Sequence, residues 1–222
     1  RGLNMNKEWS ELNKTMQAQI KKKDTYKMGI DTLFNLRRQL MQTLVSFKED
    51  LCREDFNAIP FINADGYHSK TIAYSIWHIF RIEDIVAHTV ITEDEQVFFT
   101  GNYQVRINSP IITTGNELVK QQIADFSKQL NLEELYSYIF EVRESTEKIL
   151  ERFSYDELKW KIPDERKGYL KSLNVVNCDE KAIWLIDYWC SKDIRGLIQM
   201  PFSRHWIMHT EACLRIKNKM HS

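Results

Sequence analysis

The chain has 222 residues, a mass of 26.5 kDa and a formal net charge of +0, with 31 basic and 31 acidic side chains. This length suits one sizeable domain, and the 43% hydrophobic fraction, with six Trp, eleven Phe and few Gly or Pro, favours a helical core over a turn-rich β fold. The balanced charge gives no basic surface of the kind that nucleic acids attract, and no run of about 18 apolar residues predicts a membrane span.

The four cysteines are dispersed along the chain, with no CxxC pair, and no signal peptide is recognisable. They are Cys52, Cys178, Cys190 and Cys213. This pattern favours reduced thiols in the cytoplasm over a disulfide framework. We expect no nucleic-acid or membrane partner, and the sequence leaves a homodimer open.

The hydrophobic spacing is helical wherever it is regular. Residues 1–30 form an N-terminal extension that is predicted to be helical, either continuous with the next helix or separate from it. An apolar stripe predicts a helix over about 31–51, and a loop then leads to a second long helix over about 70–91. The inward stripe of that second helix is Ser75, His78, Ile82 and Ile85.

The middle of the chain is less regular. Residues 97–115 carry β-branched residues and turn dipeptides, which predict an irregular insertion with one short hairpin. Further on, Asn131 and Asp179 are predicted to cap two helices, and a last helix is expected over about 202–220. With no linker or repeat, residues 31–222 are predicted to form one all-α domain, an up-and-down four-helix bundle with accessory short helices.

A pair of histidines in the last helix is the first candidate for chemistry. His205 and His209 are four residues apart and therefore share one face of a helix, on the side of its apolar stripe. Burying two imidazoles without partners is costly, so we expect a partner, which can be a metal, a carboxylate or ordered water. Trp206 excludes the HExxH zinc-protease motif, because it occupies the position of the general-base Glu.

A third histidine strengthens the case that this pair binds a metal. His78 lies on the inward stripe of the second helix, so three imidazoles from two core helices can converge. Three protein ligands leave an open coordination position for water or substrate, which is the arrangement of catalytic metal sites. Imidazole suits Zn, Ni, Fe or Cu. The alternative is that all three are core histidines with other partners.

Three stretches carry a resemblance to a known family. They are SIWHIFRIED, SRHWIMHTEACLRI and the intervening TTGNELVKQQIADFSKQLNLEELYSYIFEVRESTEKIL. In this order they resemble the DinB-like superfamily, with its YfiT-like metal-dependent hydrolases and thiol S-transferases, over about residues 31–219. The resemblance implies a divalent metal, Zn or Ni, held by His78, His205 and His209. It also implies transfer of a low-molecular-weight thiol such as bacillithiol to a small electrophile, or hydrolysis of that substrate.

The chain also departs from that family. The final motif reads HWIMHTEAC, without the small or acidic residue often found inside it or the Gly that frequently follows. The N-terminal segment and the connection before the last helices are longer than in compact members. These departures leave the substrate open. The alternative function is a non-enzymatic, stress-associated helical protein that binds or interacts through other surfaces and whose histidines are structural.

Several other side chains are weaker candidates for a functional role. His68 is expected on a surface loop, and His88 lies off the face of His78. Cys213, one turn beyond His209, is expected to be a small core residue, although a thiolate there could approach a metal. Glu83 and Asp84 are expected to be solvated helix charges, although a role as general base or as hydrogen-bond partner of a metal ligand stays open for them. Four aromatic residues can line a pocket or belong to the core: Trp184, Tyr188, Trp189 and Trp206. No Ser-His-Asp arrangement can be recognised from the sequence alone.

Overall fold

The computed structural model describes residues 2–222, with side chains from residue 6 onward, so Arg1 of the N-terminal extension lies outside the described residues. The described chain is all-helical and holds no strand, only an isolated bridge between Lys161 and Asp193. This confirms the predicted all-α class. The helices are α1 (Gly2–Gln19), α2 (Tyr26–Asp50), α3 (Arg53–Asn57), α4 (Ile72–Asp84), α5 (Val97–Thr100), α6 (Tyr103–Ile107), α7 (Gln121–Gln129), α8 (Leu132–Glu151), α9 (Glu165–Ser172), α10 (Glu180–Cys190), α11 (Ile194–Gln199) and α12 (His205–Met220).

The core lies among four of the longer helices. Helix α4 packs against α8 and α12, and α2 contacts both α8 and α12. Helix α4 is central, because every residue from Ile72 to Asp84 is buried. The predicted inward stripe therefore understated how much of this helix belongs to the interior. No helix in the described part of the chain is long and apolar enough to cross a membrane.

The N-terminal helix α1 is separate from α2 and packs along it. Its Trp9 is almost completely buried. The close approach depends on Gly29 near the start of α2, where an added Cβ would lie 2.5 Å from Cγ2 of Ile20. Helix α2 begins at Tyr26, earlier than the apolar stripe alone indicated.

Two predicted helix starts are confirmed by hydrogen bonds. The Asn131 side chain accepts a 3.2 Å hydrogen bond from the backbone N–H of Glu134 at the start of α8. At the start of α10, Asp179 accepts a 2.8 Å bond from the N–H of Lys181. Each side chain satisfies a backbone donor that has no partner within its own helix.

The predicted hairpin in residues 97–115 is wrong. Two short helices, α5 and α6, form the first part of this segment, and an irregular loop follows them. The start of α5 is fixed by Asp84, whose carboxylate accepts hydrogen bonds of 2.9 and 2.8 Å from the N–H groups of Val97 and Phe98. Val97 and Ile107 pack into the core instead of pairing in a sheet, so local β propensity is overridden by tertiary contacts.

A buried ion pair ties the central helices together. Arg37 of α2 forms two hydrogen bonds, of 2.6 and 2.9 Å, with the carboxylate of Glu83 at the end of α4. Trp206 of α12 donates its indole N–H to the same carboxylate at 2.9 Å, and the Arg37 guanidinium lies 4.0 Å from the Trp206 ring centre. Glu83 and Asp84 are fully buried, so the expectation of solvated charges is wrong.

Replacing Glu83 by Gln should lower the free energy of unfolding by about 3 kcal/mol, because it leaves the buried Arg37 charge poorly compensated. Urea unfolding followed by circular dichroism measures the loss. The matched control is Glu144→Gln, which removes a carboxylate from an exposed pair with Lys148 and should barely move the midpoint. Equal losses in the two variants would contradict a central role for Glu83.

Candidate metal centre

The structure brings the three predicted histidines together. One ligand nitrogen from each of His78, His205 and His209 lies within 4.8 Å of the others. The ring centres are 4.9 Å apart for His78 and His205, 4.9 Å for His78 and His209, and 4.5 Å for the pair on α12. All three side chains are buried. Their assignment as metal ligands stays a prediction.

The helix that carries two of these histidines begins at the site itself. A π-helical turn, Met200–Arg204, runs directly into α12, whose first residue is His205. Pro201 lies in that turn and has no N–H to donate, so the regular α-helical bonding of the preceding helix cannot continue through it. Such π turns are frequent at functional sites. The turn places His205 and His209 on the first turns of α12, facing α4.

A loop across α4 fixes the orientation of His78. Its Nδ1–H donates a 2.7 Å hydrogen bond to the carbonyl of Thr114. Since a carbonyl can only accept, Nδ1 carries the proton and Nε2 is the nitrogen with a free lone pair. Metal-binding histidines usually have this kind of outer partner, which sets the tautomer and the ring orientation.

Two further side chains of α4 hold the same loop. The hydroxyl of Tyr74 donates to the carbonyl of Gly115 at 2.9 Å, and Arg81 donates to the carbonyl of Ile112 at 2.6 Å. The Tyr74 ring also stacks on His78, with centres 5.3 Å apart and planes 12° from parallel. The loop therefore presents its carbonyl groups to α4 at several points, and His78 is held from two sides.

Burial keeps the three imidazoles neutral. Desolvation lowers the pKa of His78 to about 4, although its bond to Thr114 partly opposes the shift. Desolvation also lowers the pKa values of His205 and His209 well below the usual value, and the neighbouring histidines add to the effect. Neutral imidazoles are the form that binds metals, so no proton has to be removed near pH 7.

The donor set fits a divalent cation. Nδ1 of His205 and Nδ1 of His209 are buried and have no hydrogen-bond partner among the described residues. Buried polar atoms of this kind require a partner, and a cluster of three imidazoles is a suitable ligand set for Zn or Ni. Three protein ligands leave a further coordination position free.

The cluster lies on the wall of a cavity of about 820 Å³. Trp184, Tyr188 and Trp189 line the same cavity and give it an aromatic side. The loop residue Tyr67 also lines it and places its ring edge-on to His209, with centres 5.9 Å apart. Trp206 does not line the cavity, because it is buried against Glu83. The pocket interpretation therefore applies to three of the four aromatic residues.

His88, Asp94 and Ser145 have the connectivity of a Ser-His-Asp relay, which the sequence did not reveal. His88 contacts Asp94 through Nδ1 at 2.7 Å and the hydroxyl of Ser145 through Nε2 at 2.8 Å. Ser145 lies inside α8, where its backbone N–H is bonded within the helix and cannot help to form an oxyanion hole. None of the three residues lines the cavity. The contact between His88 and Ser145 links the π-helical segment that follows α4, Ile85–Thr92, to α8.

The other candidate residues lie outside the three-histidine cluster. His68 is half-buried in a short 3-10 turn beside the ring of Tyr67. Cys213 is fully buried, which confirms the expected core residue, and burial raises the pKa of its thiol to about 12. All four cysteines are free thiols. Asp84 is bonded to Tyr138 at 2.7 Å, away from the three histidines.

Comparison with known proteins adds no family assignment. No protein-family model matches the chain, and no curated protein sequence matches it at a significant level.

Gly115→Ala should destabilise the protein by about 1–3 kcal/mol and disturb the site. Gly115 has a φ of +80°, and an added Cβ would lie 2.9 Å from the Tyr74 ring that stacks on His78. Gly168→Ala is the matched control, because Gly168 lies in α9 with open space around it, and should gain about 0.5–1 kcal/mol. Thermal unfolding of both variants distinguishes these opposite signs. A stable Gly115→Ala protein would contradict the role of the loop.

The metal-free protein should lose stability as the pH falls from about 6.5 toward 4. Burial lowers the pKa of His78 to about 4 in the folded chain, whereas its ordinary value, which applies in the unfolded chain, is 6.5. Between these two pKa values the unfolded chain therefore binds a proton that the folded chain does not bind. The slope for one such histidine is at most about 1.4 kcal/mol per pH unit. Urea unfolding at several pH values should show a flatter dependence for a His78→Asn, His205→Asn, His209→Asn variant than for the parent. Parallel curves would contradict the prediction.

Proposed function

We propose that this protein is a DinB-like metal-dependent enzyme that transfers a low-molecular-weight thiol, such as bacillithiol, to a small electrophile or hydrolyses such a substrate. The observation that carries the proposal is the meeting of three buried histidine nitrogens within 4.8 Å on the wall of a large cavity. The cation would be Zn or Ni, which the imidazole donor set suits.

The arrangement of helices supports a DinB-like up-and-down bundle. Each of the four helices α2, α4, α8 and α12 packs against two of the others, so that they form a closed ring around a common core. The three stretches that carry the resemblance lie on α4, on the segment that includes α7 and α8, and around α12. Both helices that would supply ligands thus belong to the same packed group.

The three histidines would hold the cation and take no part in proton transfer. A divalent cation bound by neutral imidazoles lowers the pKa of a coordinated thiol or water, which supplies a nucleophile near neutral pH. His78 would use Nε2, since its Nδ1 is engaged by Thr114. The orientation of this ligand is therefore fixed before any cation binds.

The cavity would bind the substrate beside that nucleophile. Its volume of about 820 Å³ suits a small molecule, and its aromatic side offers apolar contacts to a substrate body. Leu185 of α10 and Met208 of α12 add aliphatic surface to the lining of the cavity.

His209→Ala should lower the affinity for Zn²⁺ by at least about a hundredfold, because one of three protein ligands is lost. Isothermal titration of untagged, chelator-treated protein measures the affinity, and elemental analysis measures the metal content of the protein as purified. The matched control is His221→Ala near the C-terminus, where the imidazole contacts Asp55 and not the cluster, so zinc binding should be unchanged.

Stoichiometric zinc in the His209→Ala variant would contradict the proposal. So would an absence of zinc or nickel binding in the parent, together with no thermal stabilisation by either metal. That second result would favour the non-enzymatic alternative, in which the histidines are structural.

A further inference from the structure

The walls of the cavity carry more positive than negative charge. Three lysines line it, namely Lys70, Lys120 and Lys181, whereas Asp65 is the one carboxylate among the lining residues. Lys181 lies 3.4 Å from Asp179 and is partly neutralised by it. The excess of ammonium groups favours an anionic ligand in a chain whose overall charge is balanced.

Lys70 is the one cavity lysine that is not exposed. It is half-buried, and no carboxylate of residues 6–222 lies within 4.0 Å of its ammonium nitrogen. The nitrogen lies 5.3 Å from the centre of the Tyr74 ring, which is itself fixed by its bond to Gly115. A charge that is partly removed from water and has no counter-ion gains most from an anionic ligand.

Lys70 and the histidine cluster line the same cavity. Lys70, Tyr74 and His78 are spaced four residues apart and all three line the cavity. The rings of Tyr74 and His78 are stacked, and the Lys70 ammonium nitrogen lies 5.3 Å from the centre of the Tyr74 ring. Lys70 lies just before α4, which begins at Ile72, whereas His78 lies in the middle of that helix.

The wall of α10 is apolar and partly open to solvent. Trp184 is 50% exposed, an unusual degree for a tryptophan, and its indole N–H donates to the carbonyl of Lys181 at 3.0 Å. The Tyr188 ring packs against it, with centres 5.4 Å apart. Both rings line the cavity and offer contact area to an apolar group.

We propose that the ligand of this cavity is an amphiphilic acid, with an apolar or aromatic body and a carboxylate or phosphate that pairs with Lys70. This inference rests on the proposed function, because it names the class of molecule that the site takes. The acid group binds Lys70 and the body packs against Trp184 and Tyr188, in the cavity that the three histidines also line. The role of Lys70 is to bind and orient, and it makes no covalent bond.

The test compares three probes that share a body and differ in their end group: 6-phenylhexanoate, 6-phenylhexyl phosphate and 6-phenylhexanol. Their dissociation constants are measured by isothermal titration with the full chain, both as purified and after metal removal. Both acids should bind the parent at least about tenfold more tightly than the alcohol, as expected for a charge-assisted contact. The acid that binds more tightly shows whether the cavity favours a carboxylate or a phosphate.

In Lys70→Met the preference for the acids should disappear, whereas the affinity for the alcohol should stay within about twofold. Lys70→Arg keeps the charge and should keep the preference. The matched control is Lys128→Met, which removes an exposed lysine that does not line the cavity and changes the net charge equally. Thermal unfolding of each variant identifies any that fails to fold, and Lys70→Arg then carries the comparison.

Equal binding of acids and alcohol by the parent would overturn the proposal. So would an acid preference that persists in Lys70→Met or disappears in Lys128→Met. Because the measurements include metal-free protein, they give a result whether or not the histidines bind zinc. Failure of this inference is therefore distinguishable from failure of the proposed function, which the zinc titration tests separately.

Discussion

The carboxylate of Glu83 is the contact on which the rest of the structure depends. It accepts hydrogen bonds from Arg37 of α2 and from Trp206 of α12, so a single buried group joins three helices. Trp206 directly follows His205 in the chain, and Glu83 lies little more than one turn after His78. The bond between Glu83 and Trp206 therefore fixes the axial position of α12 against α4 next to the histidine cluster. Any sliding of these helices would separate His78 from the two other imidazoles.

A second constraint acts from the opposite side of α4. The loop before α7 offers the carbonyl of Thr114 to His78 and that of Gly115 to Tyr74. These bonds determine which nitrogen of His78 is free and hold the Tyr74 ring that stacks on His78. Together, the ion pair and the loop position a neutral, desolvated set of donors before any ligand arrives. Such prior positioning removes part of the entropic cost of assembling a site.

Much of the fold could be predicted because its signals are local. The cap of α8 at Asn131 and that of α10 at Asp179 depend on neighbours a few residues away, and the helical period identifies the long helices. The two histidines of α12 followed from their spacing, and the inward stripe of α4 selected His78. These are properties of single helices, which a sequence displays directly.

The remaining features depend on residues far apart in the chain. The partner of Glu83 is 46 residues away, and an acidic residue on a helix has the same sequence signature whether it is solvated or paired. The loop that binds His78 is 36 residues beyond it, and the TTG stretch carries no sign of that contact. The β-branched residues of 97–115 suggested a hairpin because their packing partners are likewise distant. The cavity and the placement of Lys70 become visible only once these contacts are known.

The central claim is that His78, His205 and His209 bind one divalent cation. Crystals of the zinc-loaded protein, measured above and below the zinc absorption edge, test it directly. We expect a single strong anomalous peak about 2.0–2.1 Å from one nitrogen of each histidine, and specifically from Nε2 of His78. A peak elsewhere, coordination through fewer than three of these side chains, or no peak in zinc-saturated crystals would contradict it.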